Sequence, residues 1–239
     1  MSIKEGKNRA LRGELLVLML GAVLTGCGGG GDGGSSPPPV SPGPPPAPVP
    51  PPPPPPPSGG DEVPPLATTS VSLTDNHRIG ALHWEEGSTA AGGQGQPVAG
   101  LDCLPNMPDD YHVHTHVTVY LNGEALAIPQ NIGIESGPPR CFYTIHTHDH
   151  SGKLHVEAAA PGTFTLGQFF AIWGETLNST TLAELTGMPV VVYVTDPGDT
   201  VATKVENNWS DIELESHREI TIQVGTPIAE IPVYTWSGN

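Results

Sequence analysis

Apolar and polar positions alternate most clearly in two stretches about thirty residues apart. The first, Tyr111-His112-Val113-His114-Thr115-His116-Val117-Thr118-Val119-Tyr120-Leu121, sets imidazoles and hydroxyls against aliphatic residues. The second runs through Thr144-Ile145-His146-Thr147-His148 and returns as Lys153-Leu154-His155-Val156-Glu157. A period of two is that of a β-strand, whose successive side chains point to opposite faces. Asn122-Gly123 ends the first strand with a two-residue hairpin signal, because both turn residues must take positive φ. Pairing Leu121 with Glu124 then sets Val119 opposite Leu126 and Val117 opposite Ile128. One face carries Val113, Val117, Val119, Leu121, Leu126 and Ile128. The other carries His112, His114, His116, Thr118 and Tyr120. A turn within Asp149-His150-Ser151-Gly152 pairs Ile145 with Val156 and Thr147 with Leu154. On the opposite face it puts His146 across from His155, Thr144 across from Glu157, and His148 beside Lys153.

Downstream the period changes. Thr165 and Gln168 have capping-box spacing, Gly174 suits a helix end, and Leu166, Phe169, Phe170 and Trp173 form one apolar stripe. A short amphipathic helix packed on the sheet is expected there, and a second from Thr181 to Thr186. Pro189 to Thr195 reads as a buried strand by its β-branched run, followed by a turn at Asp196-Pro197-Gly198-Asp199. Further strands are expected at 68–73, 219–225 and 231–236. Many strands and few short helices predict a mainly β, or α+β, single domain over residues 61–239.

The chain before this domain has another character. Lys4, Lys7, Arg9 and Arg12 precede a ten-residue apolar run, Leu15 to Leu24, ending in Leu24-Thr25-Gly26-Cys27. Ten residues cannot span a bilayer, which needs about 20. Residues 1–26 match a signal peptide, and the sequence before Cys27 is similar to a bacterial lipobox, which implies acylation of Cys27 and anchoring to a lipid bilayer. Gly28 follows, with no Asp there to favour inner-membrane retention. The expected location is therefore the periplasmic face of the outer membrane or the cell surface. Residues 27–60 form a Gly- and Pro-rich linker. Pro37 to Pro57 favours polyproline II and could reach roughly 65 Å at about 3.1 Å per residue.

Charge and cysteines narrow the function classes. The formal charge is −16. Residues 1–26 hold four basic and two acidic residues, so the remainder stands near −18, with Arg78, Arg140, Lys153, Lys204 and Arg218 as its cations. Nucleic acid is an unfavourable partner for such a chain, since phosphate binding needs cationic neutralisation. With Cys27 assigned to lipid, Cys103 and Cys141 are an even pair in an oxidising compartment. A disulfide between them would stabilise by roughly 3–4 kcal/mol. The alternative use of the two thiols is as metal ligands.

Seven of the ten histidines lie between residues 112 and 155. Neutral imidazole is the commonest protein metal ligand. His-x-His on a strand sets two imidazoles on one face, about 6.6 Å apart at the Cα atoms. Across a strand pair, opposed Cβ atoms lie about 4.5–5.5 Å apart. His112 to His116 spans about 13 Å at the same rise, so two of these three are expected to share a site. The first choice is His114, His116, His146 and His148, with His112 and His155 completing the candidate set. Asp149 and Glu157 stand in reserve, as ligands or as acceptors orienting an imidazole. An imidazole site suits copper first in affinity order, and zinc next. His77 and His83 read as surface residues.

The run from Cys103 to Trp173 resembles a largely uncharacterised family of exported bacterial and archaeal His-rich proteins. The matching pieces are His112-Val113-His114-Thr115-His116, Ile128-Pro129, Asn131-Ile132-Gly133-Ile134, Cys141, His146-Thr147-His148-Asp149, Ser151-Gly152, His155-Val156-Glu157, and Phe164 to Phe170 with Trp173-Gly174. Thr144-Ile145 departs from the bulkier aromatic pair expected before His146. The resemblance implies one intact module and no particular reaction. No nucleophile elbow, phosphate loop or Cys-x-x-Cys is present. The leading expectation is an exported, lipid-anchored protein that binds copper or zinc for buffering or delivery, with an unidentified metal-donor or metal-acceptor protein. One alternative is a metalloenzyme with an open coordination position. The other is a metal-free interaction module on a proline stalk.

Overall fold

The computed structural model describes residues 62–237. The signal segment, Cys27 and the proline linker, with the expectations placed on them, lie outside the described residues. The strands in chain order begin with β1 (Leu66–Leu73), β2 (Cys103–Leu104), β3 (Tyr111–Leu121), β4 (Glu124–Leu126) and β5 (Ile134–Glu135). Next come β6 (Cys141–Tyr143), β7 (Ile145–His146) and β8 (Lys153–Ala158), then the helix α1 (Leu166–Trp173). After it lie β9 (Leu177–Asn178), β10 (Thr181–Leu182) and β11 (Leu185–Thr186). The chain closes with β12 (Val190–Thr195), β13 (Thr203–Val205), β14 (Glu219–Val224) and β15 (Ile231–Trp236). Mainly β with one α-helix among the described residues, the domain is of the expected class.

The principal sheet runs β13-β12-β14-β3-β8-β7, with β4 also on β3. At eleven residues, β3 is long enough to take different neighbours at its two ends. On one edge, His116 to Leu121 pairs in parallel with β14. On the other, Tyr111 to His116 pairs antiparallel with β8, and Val119 to Leu121 with β4. The β3–β4 hairpin turns through Asn122 and Gly123, both at positive φ, with Leu121 opposite Glu124 as expected. The ladder ends at Leu126, however, so Val117 does not face Ile128. Its N–H donates instead to Gly152 O at 2.9 Å. Gly152 presses so close that a Cβ there would lie 2.3 Å from Val117 O, and its φ is 84°. Only glycine accommodates both.

The alternation sorts the two faces. Val117 and Val119 of β3, Leu154 and Val156 of β8, Val192 of β12, and Ile220 and Ile222 of β14 form one buried face. Against it lies α1, burying Leu166, Phe169, Ile172 and Trp173. Each such side chain contributes about 1.5–3 kcal/mol of transfer free energy. Thr165 and Gln168 form the reciprocal capping box, and Gly174 closes the helix in the left-handed region. The opposite, polar face is partly covered by the parallel pair β1–β15. There a second apolar cluster gathers Tyr193, Ala202, Ile228 and Ile231, with Leu66, Tyr120 and Val191 against it.

The helix expected over Thr181 to Thr186 is absent. That stretch is β10 and β11, paired antiparallel with Thr181 opposite Thr186 and Leu182 opposite Leu185. Six residues cannot meet the cost of helix nucleation, whereas a tight turn lets Leu182 and Leu185 both reach the core. The expected disulfide is present: Cys103 and Cys141 are bonded, with Cα atoms 5.3 Å apart. It ties β2 to β6, where Cys103 also faces Tyr143 in the ladder. Among the described residues no helix is long and apolar enough to cross a membrane.

Candidate metal centre

Three adjacent strands, β3, β8 and β7, carry the polar-face histidines. In the middle, β8 sets His155 directly opposite His114 on one side and His146 on the other. His112 lies opposite Glu157 on the same face. Because side chains alternate, His112, His114, His146, His155 and Glu157 all rise from one side of the sheet. His148 joins them from just beyond the end of β7. There Thr147 leaves the sheet, its N–H donating to Ile132 O and its carbonyl accepting from Asn131 N. The expected Thr147–Leu154 pair is lost to that loop, while Ile145–Val156 and His146–His155 form as expected.

The ring nitrogens converge. His155 Nδ1 lies 3.0 Å from His114 Nε2 and 3.3 Å from His112 Nε2. His146 Nε2 and His148 Nε2 are 3.2 Å apart. Glu157 Oε1 stands between, 3.4 Å from His112 Nε2 and 3.6 Å from both His146 Nε2 and His155 Nδ1. Two imidazoles bound to one tetrahedral ion, with metal–nitrogen bonds of about 2.0–2.1 Å, hold their nitrogens roughly 3.3 Å apart. His114, His146 and Glu157 are buried, while His112 and His148 are exposed at the rim.

Acceptors at the far side of two rings set which nitrogen faces the cluster. His146 Nδ1 faces Tyr143 O at 2.9 Å. A carbonyl only accepts, so Nδ1 carries the proton and the neutral ring turns its Nε2 lone pair inward. His112 Nδ1 likewise faces Asp109 Oδ1 at 3.2 Å. A ligating histidine ordinarily makes such a bond through its other nitrogen, to a carbonyl or carboxylate. Tyr143 is itself held in place, its hydroxyl donating to Gln96 O and accepting from Gly95 N.

Electrostatics favours the neutral, ligating form. Burial, with His112 and Lys153 nearby, lowers the His114 pKa from 6.5 to about 4. Burial and the surrounding imidazoles of His114, His148, His146 and His112 bring His155 to about 2. His148 is lowered by burial and by His146.

No protein-family model, curated protein or solved structure matches this chain. Three histidines with a glutamate, His146, His148, His155 and Glu157, and the adjoining set His112, His114 and His155, could hold a metal ion.

His116 is a correction to the expected ligand set. It is fully buried, yet both its nitrogens are engaged elsewhere. Nε2 donates to Ser151 O at 2.9 Å, and Nδ1 meets Glu219 Oε2. Its ring packs edge-on against Tyr234. The cause is the change of neighbours along β3. His116 sits where β8 gives way to β14, facing Lys153 on one edge and Glu219 on the other. His112 takes its place in the cluster. Asp149 is also elsewhere: its carboxylate accepts from Asn76 N at 2.6 Å and Ser151 N at 2.8 Å, closing the loop before β8. Glu157, held only in reserve by the sequence pattern, lies at the centre. Cys103 and Cys141 are bonded to each other and leave no thiolate there. Sequence reasoning missed Asp109, whose i,i+3 spacing to His112 was a usable signal. It also missed Glu219, whose place beside His116 depends on a parallel pairing across about a hundred residues.

Proposed function

We propose that this chain is an exported, lipid-anchored protein that binds a transition metal, copper in preference to zinc, and buffers or delivers it. The observation that carries the reading is the convergence of five imidazoles and one carboxylate, with the lone pair of His146 Nε2 aimed at Glu157 Oε1, 3.6 Å away. Two acceptors facing each other in a partly buried site repel. A cation between them removes that repulsion and offsets the cost of burying the carboxylate. The donor set of imidazole nitrogens and one carboxylate oxygen suits Cu(II) and Zn(II), and the affinity order puts copper first. The exposed rims at His112 and His148 favour exchange of the ion with a donor or acceptor protein. Export and anchoring rest on the signal-like segment, the sequence before Cys27 and the disulfide, which suits an oxidising compartment. The resemblance to exported His-rich proteins points the same way.

The test is titration of the full chain, purified without a His tag, with Cu(II) and Zn(II), followed by chelator competition and copper EPR. Stoichiometric uptake resistant to a nanomolar chelator, with nitrogen hyperfine structure, is expected. His114→Ala combined with His148→Ala abolishes it. Metal content at background in the wild-type protein would overturn the reading in favour of a metal-free interaction module.

A further inference from the structure

The donors form two sets. His112, His114 and His155 are one, and His146, His148, His155 and Glu157 the other, each with its ligand atoms within 4.8 Å of one another. A tetrahedral ion takes four donors, and six side chains converge here, more than one such ion uses.

We infer that the centre is built for two ions. In the first position, His112 Nε2 and His114 Nε2 lie 3.3 and 3.0 Å from His155 Nδ1, making a three-nitrogen set. In the second, His146 Nε2 and His148 Nε2, 3.2 Å apart, stand with Glu157. Glu157 Oε1 lies at the seam, 3.4 Å from His112 Nε2 and 3.6 Å from His146 Nε2. Each position is thus within reach of the same carboxylate, which bridges the ions and offsets part of their mutual repulsion. Paired ions in protein sites stand about 3.5–4 Å apart. The three strands fit this. His155 and Glu157 rise from the central strand, β3 supplies His112 and His114 to one position, and β7 with the residues just after it supplies His146 and His148 to the other. The ring contacts fit it too, since His155 meets His114 edge-on at 4.3 Å on one side and His148 at 4.4 Å on the other.

The two-ion centre rests on the metal-binding reading but fails separately from it. Each position has one exposed member, His112 or His148, so each can be removed without opening the core. The full chain and the variants His112→Ala, His148→Ala and the double variant are titrated with Cu(II) in the presence of a competing chelator. Metal per chain is counted by elemental analysis, and folding is checked by circular dichroism. Two equivalents are expected in the wild-type chain, with an EPR signal well below two isolated spins because close copper ions couple. Each single variant keeps one equivalent with a full mononuclear signal, and the double variant keeps none. One equivalent in the wild-type chain, or loss of all metal from either folded single variant, would overturn the two-ion centre while leaving metal binding intact. No equivalent in the wild-type chain would overturn both.

Discussion

His116 and His146 are both fully buried and both belong to His-x-His pairs, yet they have opposite chemistry. Behind His146 is a backbone carbonyl that takes its Nδ1 proton and leaves Nε2 bare toward Glu157. A carbonyl at Nε2 and a carboxylate at Nδ1 leave His116 no free lone pair aimed at the cluster. His116→Gln is accordingly expected to cost about 1–3 kcal/mol of stability, by leaving buried partners unsatisfied, while metal stoichiometry stays at the wild-type value. Urea unfolding and metal analysis on the same preparation would check both halves. Asp109→Asn works in the other direction. It removes the charged acceptor behind His112, so metal affinity is expected to fall by about tenfold or more, with stability little changed because Asp109 is exposed. Competition titration reads the first effect and thermal unfolding the second.

At the scale of elements, the disulfide and the helix support the site from different sides. Cys141 begins β6, and two residues on Tyr143 supplies the carbonyl that orients His146. Reducing the disulfide, or replacing both cysteines by serine, is expected to lower stability by roughly 3–4 kcal/mol and to weaken metal binding through the loosened Tyr143 segment. Denaturant midpoints with and without reductant, and the chelator concentration that strips half the metal, would show the two effects together. Trp173 ends α1 fully within the core on the opposite face of the sheet. Trp173→Ala is expected to cost about 3–5 kcal/mol, and the unfolding midpoint measures it.

For the whole molecule, the clustered imidazoles make stability depend on pH. His114 and His155 have folded pKa values of about 4 and about 2, both below the ordinary 6.5. Between those values the unfolded chain binds more protons than the folded one, so stability rises with pH there. Their contribution is complete above about pH 6.5. It declines as pH falls through 4 and continues to decline toward 2. The metal-free protein should therefore unfold at a lower temperature at pH 5 than at pH 7.5, and saturating Cu(II) should raise the midpoint most at the higher pH, where the ligands are free of protons. Calorimetry across that range, with and without metal, would check both statements.

The sequence by itself determined what depends on neighbours along the chain. Alternation set which residues share a face of β3 and β8, Asn122-Gly123 set one hairpin, and Thr165, Gln168 and Gly174 bounded the helix. The cysteine count and the positions of the histidines pointed to the disulfide and to the polar face. Only the tertiary structure decided which histidines meet. That choice depends on the order of strands in the sheet, which places β8 between β3 and β7 and brings β14 beside β3 at His116. Period-two patterning assigns a face to each side chain but no neighbour across a gap of a hundred residues. Three equally spaced imidazoles on one strand therefore read alike until the partners of each are known. The long pairing with Glu219 withdraws His116, while the short pairings with Glu157, His155 and His146 assemble the rest.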